Sequence, residues 1–149
     1  MKIQALGHVV LKVRNLDRAL QFYQGVLGLR LAARAAIRDV PMAFLAIDRN
    51  HHDLALMEVG EQAPAAPEKS TGLAHFALKI GDNLEALRSA REYLQSMNIP
   101  IDRTVEHRVS QSHYVRDPDG HVVELYVDAD PSIWHHDPAS VAHSEPLDL

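Results

Sequence analysis

The sequence predicts an α+β fold of two tandem βαβββ modules. Three observations carry it. An apolar run repeats: residues 6–13, LGHVVLKV, match residues 73–80, LAHFALKI, position for position in character. Each copy leads into a stretch with helical spacing and a polar cap. Each such stretch leads into three β-rich runs parted by turn residues. A repeat with a period of about half the chain makes each half one supersecondary unit.

In the first half, residues 5–13 form an apolar run suited to a buried strand, with His8 inside it. Asn15-Leu16-Asp17 reads as a helix start, because Asn or Asp can cap orphan N–H groups. Leu16, Ala19, Leu20, Tyr23, Val26 and Leu27 follow helical spacing, and Gly28 suits the C-cap. Leu29–Ala36 and Val40–Ile47 read as strands joined around Arg38-Asp39. Asp48-Arg49-Asn50 is a turn, and His52–Val59 is a further strand. Residues 60–72 hold two prolines and two glycines and read as a linker.

The pattern then restarts. His75 falls where His8 falls, and Asp82 or Asn83 caps a helix bearing Leu84, Leu87, Ala90, Leu94 and Met97 on one face. Asn98-Ile99-Pro100 ends it. Strands follow near Ile101–His107, Ser112–Arg116 and His121–Val127. Asp117-Pro118-Asp119-Gly120 is a turn in which Pro presets φ and Gly supplies φ > 0. The last residues, 131–149, are rich in Pro and Asp and read as a tail that packs Trp134 onto the body. The expected organisation is one domain over 1–130: module 1 at about 4–60, a linker at 61–72 and module 2 at about 73–128.

Composition narrows the function. The 149 residues suffice for one domain with a real core. Net charge is −5 without a basic run, which argues against a nucleic-acid partner. The absence of cysteine excludes a disulfide framework and a thiolate site. No apolar run approaches transmembrane length and MKIQALGH is not signal-like, so no membrane role and a cytoplasmic location are expected. Ten histidines invite a metal hypothesis, since His is the commonest metal ligand.

The repeat sharpens that hypothesis. Setting His52 against His121 places Ala55 opposite Glu124. The second module thus offers a carboxylate where the first has a methyl group. A carboxylate between Val123 and Leu125 is costly to bury unless paired, protonated or metal-bound. His8, His75 and Glu124 are therefore the candidate metal ligands. Two imidazoles and one carboxylate form the facial set that suits non-haem Fe(II) and leave three positions open, enough for a substrate with two adjacent oxygens and for O2. The strands are expected to curl, as a mixed sheet, around this metal cleft. Mn(II) fits the same ligands.

The paired modules, the two strand histidines and the late Glu resemble the vicinal oxygen chelate superfamily, which includes glyoxalases, bleomycin-resistance proteins and dioxygenases. The resemblance covers roughly residues 4–128. Within it, His107, Tyr114, Asp117-Pro118-Asp119-Gly120 and Glu124 are similar in order and spacing to the signature of type I extradiol ring-cleavage dioxygenases. His113 departs from that signature, which usually has an aliphatic or aromatic residue there, and is expected to put a polar group near the substrate. Asn50-His51-His52-Asp53-Leu54-Ala55 resembles the family segment that carries a catalytic histidine; His52 is the better match, with His51 the alternative.

The resemblance implies an Fe(II)-dependent enzyme that opens the ring of a catechol-type substrate with O2. It implies that His52 takes and returns a proton, and that His107 and Tyr114 hydrogen-bond the substrate oxygen and the developing charge. Two rival readings stand beside it. One is a metal-dependent glyoxalase- or epimerase-type isomerase or lyase, with Glu58 or a partner-chain residue as fourth ligand. The other is a resistance protein that binds an aromatic drug without metal. Related full-length enzymes often carry two such domains, so a homodimer or larger homo-oligomer is expected. His121 reads as structural, and His135, His136 and His143 as solvated.

Overall fold

A computed structural model describes residues 1–48, 50–67 and 69–149; Arg49, in the expected turn at 48–50, and Glu68, in the expected linker, lie outside the described residues. The chain forms two compact units, Met1–Glu68 and Lys69–Leu149. Each unit is a βαβββ module on an open, curled mixed sheet, as the repeat predicts.

In the first unit, β1 (Val9–Val13) leads into α1 (Leu16–Leu20). Asn15 caps α1, its side chain accepting from the Arg18 N–H at 2.9 Å. The Glu58 carboxylate accepts from the Leu16 N–H at 2.7 Å, so a second side chain, this one charged, serves the same helix end. The helix widens into π-type turns over Gln21–Val26, which brings Phe22 beside Tyr23 in the core and leaves Val26 and Leu27 only half-buried. Gly28, at φ +74°, ends it. The strands β2 (Arg30–Ile37) and β3 (Val40–Ala46) form a hairpin. Its two turn residues, Arg38 and Asp39, both have positive φ, the geometry of a twist-matched I′ turn, here built without glycine. β4 (Leu54–Glu58) pairs parallel with β1 and antiparallel with β3, giving the order β1-β4-β3-β2.

The second unit repeats the plan. β5 (Phe76–Gly81) crosses to α2 (Leu84–Ser96), capped by the Asn83 side chain on the Ala86 N–H at 3.0 Å. A Cβ added at Gly81 would stand 2.5 Å from the Ala86 Cβ, so the tight strand-to-helix passage needs glycine there. β6 (Ile101–Glu106), β7 (Ser110–Arg116) and β8 (Val122–Asp128) complete the module, with β8 parallel to β5. The Asp117–Gly120 turn forms as the sequence predicts, with Gly120 at φ +91°. The buried Asp117 carboxylate accepts from the Asp119 and His121 N–H groups and from the His121 ring, so His121 is a turn-fixing residue.

Strand alternation sorts the second sheet into two faces. Val115, Val123, Leu125 and Val127 are buried together with Leu87 and Leu94 of α2. Ser112, Tyr114 and Glu124 project from the opposite face. His113 lies on the α2 face, not the Glu124 face. Its Nε2 donates to the Leu87 carbonyl at 3.0 Å and its Nδ1 accepts from Thr104 Oγ1 at 2.7 Å. The expectation that His113 places a polar group near the substrate is therefore wrong: a one-residue step along a strand reverses the face.

The segment after β8 is more ordered than a tail. It forms α3 (Ser132–His136), a 3₁₀ turn (Pro138–Ala142) and a two-residue strand, β9 (Glu145–Pro146), paired antiparallel with β6. Trp134 does not pack onto the body as expected; it is 43% exposed and lies over His135, with ring centroids 3.8 Å apart. His143 is half-buried rather than solvated, because β9 draws it against β6. Among the described residues, no helix is long and apolar enough to cross a membrane.

Candidate functional site

All three strand histidines of the sequence reading stand at strand mouths. His8, His52 and His75 precede β1, β4 and β5 by one or two residues, because the ladders begin at Val9, Leu54 and Phe76.

The ladder registers test the repeat alignment residue by residue. Val10 pairs with Ala55, and its repeat mate Ala77 pairs with Glu124. Ala55 and Glu124 are therefore equivalent positions, and the first module has no acid there.

In the second unit, one sheet face gathers His75, Ser112, Tyr114, Glu124 and, just past β6, His107. Glu124 is 8% exposed. Its Oε1 accepts from Ser112 Oγ at 2.5 Å, and its Oε2 lies 3.1 Å from His75 Nε2. Two donor atoms each about 2.1 Å from one octahedral ion stand about 3.0 Å apart. His75 Nε2 and Glu124 Oε2 are thus spaced as neighbouring ligands of one ion, and the donor chemistry fits Fe(II) or Mn(II). Among the described residues, no group of three or more His, Asp or Glu is gathered for a metal.

Tyr114 is the register partner of Glu124, and its hydroxyl lies 2.9 Å from His107 Nε2. Burial, and then the Glu124 charge, push the phenol up to about 12, partly opposed by Arg103. Tyr114 is therefore protonated at neutral pH and acts as a donor. The Arg103 guanidinium stands 3.9 Å over its ring. The other nitrogen of His107, Nδ1, lies 2.9 Å from the His143 carbonyl, and Nε2 is 3.9 Å from Glu124 Oε1.

In the first unit, His8, His51 and His52 form a second group. The His8 and His52 ring centroids are 4.4 Å apart, and Phe44 meets the His52 ring edge-on at 5.2 Å. His51 Nδ1 and His52 Nδ1 are 2.7 Å apart, so one must be an acceptor and the two rings share a proton. Burial, and then His8 and His51, lower the His52 pKa, which keeps the ring a free base near neutral pH. Asp53 anchors the turn that carries these rings. Its carboxylate accepts from the Ile47 N–H and the Asn50 amide, both at 2.8 Å, and these bonds hold its own pKa down.

Sequence reasoning missed Ser112, Arg103 and the His143 carbonyl. Ser112 and Arg103 could have been found by counting alternate positions from Tyr114 and by the β6–β7 register that pairs Arg103 with it. The carbonyl had no signal, because a two-residue strand leaves no pattern. Glu58, the candidate fourth ligand, is engaged at the α1 N-terminus.

The family model of the Glyoxalase/Bleomycin resistance protein/Dioxygenase superfamily matches residues 5–125. The chain is 35% identical over 133 residues to the catechol-2,3-dioxygenase of Bacillus subtilis, covering 89% of this chain and 44% of that protein. It is 35% identical over 129 residues to a biphenyl-2,3-diol 1,2-dioxygenase of Rhodococcus globerulus, covering 83% of this chain and 63% of the relative. It is also 27% identical to a lactoylglutathione lyase of Neisseria meningitidis, over 80% of this chain and 88% of the lyase. The chain thus spans about half to two thirds of the two dioxygenases. A crystallised glyoxylase/bleomycin resistance protein/dioxygenase domain from Frankia sp. EAN1pec shares the fold, with a TM-score of 0.74 at 20% identity over 86% of this chain and 100% of that domain.

Proposed function

Because the chain belongs to the Glyoxalase/Bleomycin resistance protein/Dioxygenase superfamily, we propose that it is an Fe(II)-dependent extradiol dioxygenase, with Mn(II) as an alternative metal, that cleaves a catechol-type ring. The observation that carries this reading is the convergence of His75 and Glu124 beside Tyr114 and His107 on one sheet face. His8 would complete the ligand set. The metal, when bound, would hold both catechol oxygens and bring O2 beside them.

The chain's own groups have separable tasks. Glu124 carries the charge that offsets a cation in a half-shielded site. Tyr114, kept protonated, donates to the substrate oxygen that gains charge. His52, kept neutral, accepts a catechol proton at a ring nitrogen and returns it later. In the free chain His107 Nε2 accepts from the Tyr114 hydroxyl and so orients the phenol, which turns its one proton to the substrate oxygen when substrate binds.

A three-ligand site is favoured over a four-ligand, isomerase-type site by two observations. Ala55 occupies the position equivalent to Glu124, and the Glu58 carboxylate is committed to the α1 N-terminus. The 35% identity to two dioxygenases supports the same choice. Anaerobic Fe(II) loading followed by a panel of catechols and air tests it: a yellow ring-opened product that is lost in Glu124→Ala is expected.

A further inference from the structure

The segment that follows the second module does more than cover its edge. It reaches back and places a single backbone acceptor on a ring nitrogen of His107. β9 pairs with β6 through Val105–Pro146 and Glu106–Glu145, and Leu147 donates its N–H to the Thr104 carbonyl at 3.1 Å. Farther on, the Arg91 guanidinium holds the Leu149 carbonyl. These bonds hold residues 145–147 against β6 and Leu149 against α2, and the His143 carbonyl, just before them, lies 2.9 Å from His107 Nδ1.

A carbonyl can only accept, so Nδ1 must carry a proton. In the neutral ring, Nε2 then holds the lone pair, and it faces the Tyr114 hydroxyl at 2.9 Å. Tyr114 has one proton to give and two acceptors nearby, His107 Nε2 and the Glu124 carboxylate. The opposite tautomer would aim an N–H at the phenol oxygen and turn that proton toward Glu124. The His107 main chain cannot make the choice. It closes the β6–β7 turn, with its N–H on the Ser110 carbonyl at 2.8 Å, but leaves the ring free to rotate.

We propose that residues 143–149 form a positioning strap whose His143 carbonyl fixes His107 as the Nδ1–H tautomer and thereby directs the Tyr114 proton to His107 rather than to Glu124. The importance of this arrangement for turnover rests on the dioxygenase reading. The tautomer does not, so the two can fail separately.

Imidazole 15N NMR of the full chain, loaded with diamagnetic Zn(II), reads the tautomer directly. His113 supplies an internal reference, because the Leu87 carbonyl holds it as the opposite, Nε2–H form. The proposal expects Nδ1–H at His107 and Nε2–H at His113 in the intact chain. In a chain ending at Ala142, His107 should lose the Nδ1–H signature while His113 keeps its own. Leu147→Pro, which removes the N–H given to Thr104 together with the half-buried Leu side chain, is the milder variant and should weaken the same signature. It decides the matter if the shortened chain also disturbs His113. Nε2–H at His107 in the intact chain, or an unchanged Nδ1–H signature in the variants with His113 intact, would overturn the proposal.

Discussion

Ser112 gives its hydroxyl proton to Glu124 at 2.5 Å, from a position with no solvent exposure on the neighbouring strand. This bond occupies Oε1 and leaves Oε2 turned toward His75. A carboxylate held this way presents one oxygen in a set direction, which is what a metal ligand requires. Ser112→Ala should therefore weaken Fe(II) or Mn(II) binding about ten- to a hundredfold, with Ser112→Thr recovering part of the loss. Anaerobic metal titration measures both, and an unchanged affinity in Ser112→Ala would count against Glu124 as a ligand.

Glu58 has a different task. Its carboxylate serves the orphan N–H of Leu16 at the start of α1. Glu58→Gln should cost about 1 kcal/mol of stability, the usual scale for a weakened helix cap, and should leave metal affinity unchanged. A thermal melt paired with a metal titration checks this. Loss of metal binding with an unchanged melt would favour the four-ligand isomerase reading.

Tyr114 is expected to act as a donor because its pKa stands at about 12. Tyr114→Phe removes the hydroxyl and keeps the ring under Arg103. Turnover should fall about a hundredfold, the scale for one lost donor to developing charge, while metal content stays the same. Steady-state kinetics with metal analysis tests the pair of expectations.

His113 makes stability depend on pH. Burial lowers its pKa below 6.5 in the folded chain, so the unfolded chain binds the proton more readily. The folded state is therefore fully stable with respect to this group above pH 6.5 and loses stability as pH falls from 6.5 through the lower folded value. The urea midpoint at pH 5 should lie below that at pH 8. His113→Leu should flatten this part of the difference, at the expense of leaving Thr104 Oγ1 and the Leu87 carbonyl without their ring partner.

The tandem plan was legible because it is written in spacing: two matched strands, two polar caps and six β-rich runs recur in order. The equivalence of Ala55 and Glu124, from which the proposed ligand set starts, was legible for the same reason, since Val10–Ala55 and Ala77–Glu124 are register mates in the two sheets. What escaped was whatever depends on direction rather than order. His113 and Tyr114 are adjacent in sequence and face opposite sides of β7, so grouping them by proximity misplaced the first. The last segment escaped because β9 is two residues long and one of them is a proline, which a sheet tolerates only at an edge. Its contribution to the site is a main-chain carbonyl, and any residue could supply that.

The most direct test of the central claim is the fate of oxygen. Fe(II)-loaded enzyme is given a catechol under 18O2, and the ring-opened product is analysed by mass spectrometry. The dioxygenase account requires both atoms of one O2 in the product, one O2 consumed per catechol, and loss of the reaction in Glu124→Ala. Tight metal binding with no label incorporated and no O2 consumed with any catechol would contradict it and move the chain to the isomerase class.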